Sequence, residues 1–260
     1  MEYLVVCSVA LIASGLTFFS GFGLGTILMP ALAIFFPVPI AIGATAIVHL
    51  ANNLFKLLLI GRSANKSIVV RFGIPAVVAA LLGASLLTYA SSVPVITSYR
   101  LGGHVHEITI VKLVIGSLIV FFSCLELIPA FAKVSVDRNY MVIGGILSGF
   151  FGGLSGNQGA LRSMFLIKTG LKKEEFIGTN VVLAVMVDVG RLFVYGIGLY
   201  SVHWTVLTDI GGLVLAATIA AFVGAFWGKE VLKKVTLGAV QMVVGTMLII
   251  FGIVLSIGLI

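Results

Sequence analysis

Ten apolar runs, near residues 3–19, 26–36, 38–60, 68–90, 108–132, 140–155, 160–171, 176–200, 202–226 and 237–260, leave this chain few ways to fold. In lipid every backbone N–H and C=O must find its partner within the protein, so runs of this kind are expected to be helices. A mean hydropathy of +1.23, with 60% hydrophobic and 10% charged residues, places the chain among multi-pass membrane proteins. The expected fold class is an all-α polytopic membrane protein, its first partner the lipid bilayer. The formal charge of +7 then informs topology, since no clustered basic surface points to nucleic acid. Met1 to Val6 lack a basic region, so the first run reads as a retained helix. Cys7 and Cys124 sit in separate apolar runs and read as packing thiols, not a disulfide or a metal pair. No cofactor or metal is expected.

Two breaks interrupt this pattern, Ser20-Gly-Phe-Gly-Leu-Gly-Thr26 and, 135 residues later, Ser155-Gly-Asn-Gln-Gly-Ala-Leu-Arg162. Non-helical backbone at membrane depth is tolerated where protein or an internal cavity covers it, so paired breaks suggest a buried site. The runs that follow, 26–36 and 160–171, are short: about 12 residues span about 18 Å of a core about 30 Å thick. Each reads as the arm of a re-entrant or broken-helix hairpin.

The runs also divide into two sets of five. At an offset of 135, Gly21 meets Gly156, Met29 meets Met164, Gly43 meets Gly178, Asn53 meets Asp188 and Lys56 meets Arg191. Residues 1–131 and 139–260 are expected to form two repeats, joined by a cytoplasmic linker at 132–138. Each half makes an odd number of crossings, so the second is expected to be inverted. Loop charge agrees. Eleven basic residues (Arg62, Lys66, Arg71, Lys133, Arg138, Lys168, Lys172, Lys173, Lys229, Lys233, Lys234) fall in loops on one side and only Arg100 on the other. A basic loop at 61–71 contrasts with its bare counterpart at 196–206. The positive-inside bias puts both termini outside a bacterial or archaeal cytoplasmic membrane.

Polar residues inside apolar runs mark the candidate site, because a charge at bilayer depth costs about 2.5–3.5 kcal/mol or more. Thr45, His49, Asn52, Asn53 and Lys56 recur along one helix face, and Asn180, Asp188 and Arg191 occupy the equivalent face of the second half. The candidate substrate-binding residues are Gly21, Gly23, Gly25, Asn52, Asn53, Gly156, Asn157, Gln158, Gly159, Arg162, Asn180 and Arg191. Asp188 and His49 are the candidates for coupling to a proton or other ion. Lys56 and Arg191 fit either snorkelling or substrate contact, and Asp188 with Arg191 fits either mutual neutralisation or proton coupling. His49 has no second His or Cys at metal-ligand spacing, and Glu126 reads as structural. Gly145, Gly149 and Gly153, like Ala217, Ala221 and Ala225, keep the four-residue spacing of close helix packing. Helix starts just after the breaks would aim free N–H groups at an anion. HExxH, GxSxG and paired intramembrane aspartates are all missing, which argues against an enzyme.

The stretch Ser20-Gly-Phe-Gly-Leu-Gly-Thr-Ile-Leu-Met-Pro30 with Ala41-Ile-Gly-Ala-Thr45, and the second copy Gly153-Leu-Ser-Gly156 with Ile177-Gly-Thr-Asn180, resembles the sulfite exporter TauE/SafE family of membrane transporters. The resemblance covers nearly the whole chain and implies export of sulfite, sulfonates or related organosulfur anions, driven by an ion gradient. The second break departs from a uniformly glycine-rich repeat. The resulting expectation is a secondary transporter working by alternating access, monomeric or as a homodimer, with a passive anion channel as the alternative.

Overall fold

A computed structural model describes residues 1–16, 23–128, 136–231 and 237–260. Gly21, Lys133, Lys233, Lys234 and linker residues 132–135 lie outside them, as do the side chains of Lys168 and Lys229. The described residues form helices α1 (Glu2–Leu16), α2 (Leu24–Ala33), α3 (Val38–Ile60), α4 (Lys66–Ser91), α5 (Ile110–Leu127), α6 (Met141–Ser155), α7 (Gly159–Leu166), α8 (Lys173–Asp209), α9 (Gly211–Val231) and α10 (Leu237–Ser256). Four of them, α3 over Val38–Leu58, α4, α5 and α8 over Lys173–Gly198, are long and apolar enough to cross a membrane unaided. The chain is a multi-pass membrane protein.

Local chemistry sets the element ends. Pro37 precedes α3 and Pro39 sits in its first turn, where a fixed φ and a missing N–H do no harm. Asn65 and Thr109 cap α4 and α5 by accepting from the N–H of Ile68 and Lys112. Gly156 ends α6 with φ +81°, a left-handed conformation that a side chain would strain.

The helices pack in five principal pairs, α4 on α6, α1 on α9, α5 on α10, α4 on α8 and α3 on α8. Small residues let the backbones meet. A Cβ added at Gly145, Gly149 or Gly153 would lie 2.3, 2.0 or 2.1 Å from the carbonyl oxygen of Phe72, Ala76 or Ala80 on α4. On α9 the same role falls to Gly224, against the Leu11 carbonyl of α1, beside the buried Ala217, Ala221 and Ala225. The opposite face of α4 exposes Val70, Ile74, Val78, Leu82 and Leu86, one per turn, while Phe72, Ala76, Ala80 and Ala84 are buried. Exposed aliphatic stripes around buried polar groups are the arrangement a lipid solvent demands.

Two features differ from the sequence reading. Between α4 and α5 lies an antiparallel hairpin, β1 (Thr97–Leu101) and β2 (His104–Ile108), pairing Thr97 with Ile108 and Leu101 with His104. Gly102 and Gly103 at φ +61° and +83° supply its tight turn. It is fastened to the C-terminal end by Tyr99, whose hydroxyl donates to the Ile257 carbonyl at 2.7 Å. Hydropathy missed it because its two strands are short and polar. Secondly, the segment 196–206 is not a loop. Helix α8 runs on to Asp209, because no proline or turn dipeptide interrupts it before Gly211-Gly212.

The α4–α6 contact makes a direct prediction. Gly149→Ala should destabilise the detergent-solubilised protein by about 1–3 kcal/mol through overpacking, whereas Gly196→Ala, with nothing within 4 Å of the added Cβ, should not. Equal thermal unfolding of the two variants would contradict the packing described.

Candidate functional site

The polar residues of the two halves meet around one carboxylate. Asp188 is fully buried in α8. Arg191, one turn on, donates to its Oδ1 from Nε at 3.0 Å and from Nη2 at 2.8 Å. Gln158 Nε2, at the break between α6 and α7, reaches the same oxygen at 3.2 Å. The other oxygen, Oδ2, lies 2.6 Å from His49 Nδ1 on α3. Asn53, one turn along α3, has its Nδ2 3.3 Å from His49 Nε2, so an imidazole with Nδ1–H towards Asp188 can accept from Asn53. One side chain thus ties together the central helix of each half and the second break.

The break itself is held by the same groups. Arg191 Nη1 points at the Gly152 carbonyl at 3.5 Å, and a Cβ on Gly156 would fall 2.9 Å from that Nη1. Gly156 is therefore required by space as well as by its φ. Tyr195 donates to the Gly153 carbonyl, an acceptor that the end of α6 leaves open, and Ser148 donates to the Gln158 carbonyl, which also accepts from the Arg162 N–H. The first break comes alongside: a Cβ on Gly25 would meet Thr45 Cγ2 at 3.6 Å, the Gly156 carbonyl at 3.8 Å and His49 Cδ2 at 3.8 Å. Gly23, the residue before α2, has Thr26 Oγ1 at 3.5 Å and Gly25 N at 3.9 Å from its added Cβ, so among the described residues no close neighbour requires a glycine.

Arg162, on α7, extends the network. It donates to Asn180 Oδ1 at 2.7 Å from Nε and to Gln158 Oε1 at 3.2 Å from Nη1. Both acceptors are neutral amides, and among the described residues its Nη2 makes no hydrogen bond. Two buried guanidiniums therefore share the single carboxylate of Asp188, which pairs directly with Arg191.

Beside this cluster is a pocket lined by Thr26 from the first turn of α2, Asn157, Gly159 and Ala160 from the second break, and Phe122, Ser123 and Glu126 from α5. Both helix starts open onto it. Asn157 is only 7% exposed, and among the described residues its Nδ2 has no partner. Helix geometry leaves the first-turn N–H groups of α7 without backbone acceptors.

Of the predicted residues, Gly25, His49, Asn53, Gly156, Gln158, Arg162, Asn180, Asp188 and Arg191 come together in the cluster, and Asn157 and Gly159 in the pocket. Asn52 turns elsewhere: its Oδ1 accepts from Ser14 of α1 at 3.2 Å. Lys56 is buried. Sequence reasoning missed Ser123 and Tyr195, single polar atoms in apolar runs, and placed Glu126 in the frame rather than in a pocket. Among the described residues no group of three His, Cys, Asp or Glu side chains could hold a metal ion.

The ion pair predicts a stability effect. Asp188→Asn leaves Arg191 as a buried cation without its counter-ion and should cost about 3–5 kcal/mol, a large part of it recovered in Asp188→Asn/Arg191→Met. Thermal unfolding of the variants checks this. A double variant no more stable than the single one would contradict a structural ion pair.

In comparison with known proteins, one family model matches, described as Sulfite exporter TauE/SafE, over residues 6–255. No curated protein and no solved structure gives a match.

Proposed function

The chain belongs to the sulfite exporter TauE/SafE family, and from that premise we propose that it is a secondary transporter holding a small sulfur oxyanion in the pocket between its two broken segments. Membership itself implies a membrane exporter of sulfite or a related sulfur anion. The observation that carries the site is the pocket where the starts of α2 and α7 open together on the unpartnered amide of Asn157. Free N–H groups at a helix start favour an oxyanion without a fixed cation. Arg162, with one N–H edge unused, adds positive charge one turn below and a fork that suits oxyanion geometry. Sulfite, a sulfonate or a related organosulfur anion matches these donors in chemistry, and the cavity of about 10 Å³, room for about one water, must widen to admit it.

Alternating access follows from how the halves are joined. We read them as inverted repeats, and the packing supports this. The offset of 135 carries α1 onto α6 and α4 onto α9, so the pair α1 on α9 becomes the pair α6 on α4. The pairs α3 with α8 and α5 with α10 exchange onto themselves, as a two-fold relation requires. The segments α2 and α7 are then the returning arms of the two hairpins. His49 and Asp188 bridge the halves at 2.6 Å. We assign them as the coupling latch whose making and breaking accompanies the change of access. The loop charges orient both termini to the outside of the cytoplasmic membrane.

Reconstituted vesicles test this. Flux of labelled sulfite should follow an imposed pH gradient, and Arg162→Gln should weaken sulfite binding roughly tenfold to a hundredfold, the effect of one charge-assisted hydrogen bond of about 1.5–3 kcal/mol. Flux indifferent to the pH gradient would contradict proton coupling. In the same vesicles, with Cys7 and Cys124 removed, cysteines at the equivalent positions Phe36 and Leu171 should label from opposite faces. Labelling from one face would exclude the inversion.

A further inference from the structure

The pocket's third wall is acidic. Ser123 and Glu126 lie three residues apart on α5, hence on one face of that helix, and both line the pocket. Ser123 is 1% exposed, and among the described residues its Oγ and the buried Glu126 Oε2 have no partner. Among the described residues Glu126 forms no ion pair, and its Oε2 accepts no hydrogen bond. The contrast with Asp188 is complete, for there both oxygens are taken by His49, Gln158 and Arg191. Asp188 is held in place by its neighbours, whereas Glu126 is a carboxyl group with an unused oxygen facing a cavity.

Among the described residues the surroundings offer Glu126 no other counterpart; Lys133, seven residues on, lies outside them. The facing helices α2, α6 and α10 carry no charged side chain. From α3, His49 is engaged with Asp188 and the buried Lys56 has an interaction of its own, and from α7 Arg162 is bonded to Asn180 and Gln158. Lys66 and Arg71 of α4 form no ion pair with Glu126 either, nor does Arg191 of α8, which holds Asp188; Cys124 is the neighbouring titratable group on α5 itself.

An ionised carboxylate is acceptor-only, and so are the oxygens of a fully deprotonated oxyanion. Placed in one pocket they repel, unless a hydrogen lies between them. We propose that Glu126 is the group through which this pocket takes up its anion together with one proton, the proton lying between Glu126 Oε2 and an oxygen of the anion, while Asn157 and the α7 start bind the other oxygens. Ser123, a donor and an acceptor on the same face, completes the ring of contacts. Glu126 thereby links anion binding to proton uptake within the site, and the His49–Asp188 bridge answers to conformation. This inference rests on the pocket being the anion site, as proposed above.

Calorimetric titration of the purified full-length protein in lipid nanodiscs tests it, in buffers of differing ionisation enthalpy and with sulfite and methanesulfonate as separate probes. Methanesulfonate has no proton of its own to exchange near neutral pH, so any uptake belongs to the protein. For whichever probe binds, Glu126→Gln should take up about one proton fewer per anion than the wild type. The roughly tenfold fall in affinity per pH unit that one linked proton produces at the alkaline end should disappear with it. Glu126→Met, uncharged and of similar size, serves if the Gln variant does not fold. Equal proton counts in variant and wild type, or wild-type methanesulfonate binding without proton uptake, would overturn the role of Glu126 and leave the anion site standing. Failure of the wild type to bind either probe would overturn the anion site itself.

Discussion

The structure depends on one buried carboxylate. Asp188 binds Arg191 and Gln158 through one oxygen and His49 through the other, and each partner has a second task. Arg191 fills the space that Gly156 leaves by lacking a side chain and caps the end of α6 through the Gly152 carbonyl. Gln158 positions Arg162, and His49 lies against Gly25. A chain that interrupts its helices at membrane depth must supply partners for the freed backbone groups. Here a charge cluster does so, and the cluster is affordable because its members neutralise and bond one another.

That arrangement leaves an imbalance that can serve a ligand. The carboxylate of Asp188 is used by the guanidinium of Arg191 and the imidazole of His49, so Arg162 is left with neutral partners. A buried cation bonded only to amides, one turn from a helix start, favours a small anion in the adjoining pocket. The same pocket presents Glu126, so its field is not uniformly positive. A proton reconciles the two walls.

Much of this was legible in the chain itself. The membrane class follows from the length and polarity of the apolar runs. The central cluster follows from placing polar residues on helix faces: His49, Asn53, Asp188 and Arg191 do converge. Gly145, Gly149 and Gly153 read correctly as packing because their four-residue spacing has a geometric meaning. What the chain concealed was tertiary. Asn52 shares a face with His49 but turns to Ser14, a difference of partner that spacing cannot reveal. Glu126 looked peripheral because its depth along α5 says nothing about which cavity that turn of the helix borders. The continuation of α8 through 196–206 was hidden because a lack of charge reads alike in a loop and in a helix.

The central claim, that the α7 start and Asn157 form an oxyanion site beside the start of α2, is tested most directly by locating a bound anion. Selenite, the heavier analogue of sulfite, can be found by its anomalous scattering in crystals of the lipid-embedded protein. The account predicts a selenium peak in the pocket, with its oxygens within hydrogen-bonding reach of the Gly159 and Ala160 N–H groups, Asn157 Nδ2 and Glu126 Oε2. Selenite bound elsewhere, with that pocket left empty, would contradict it.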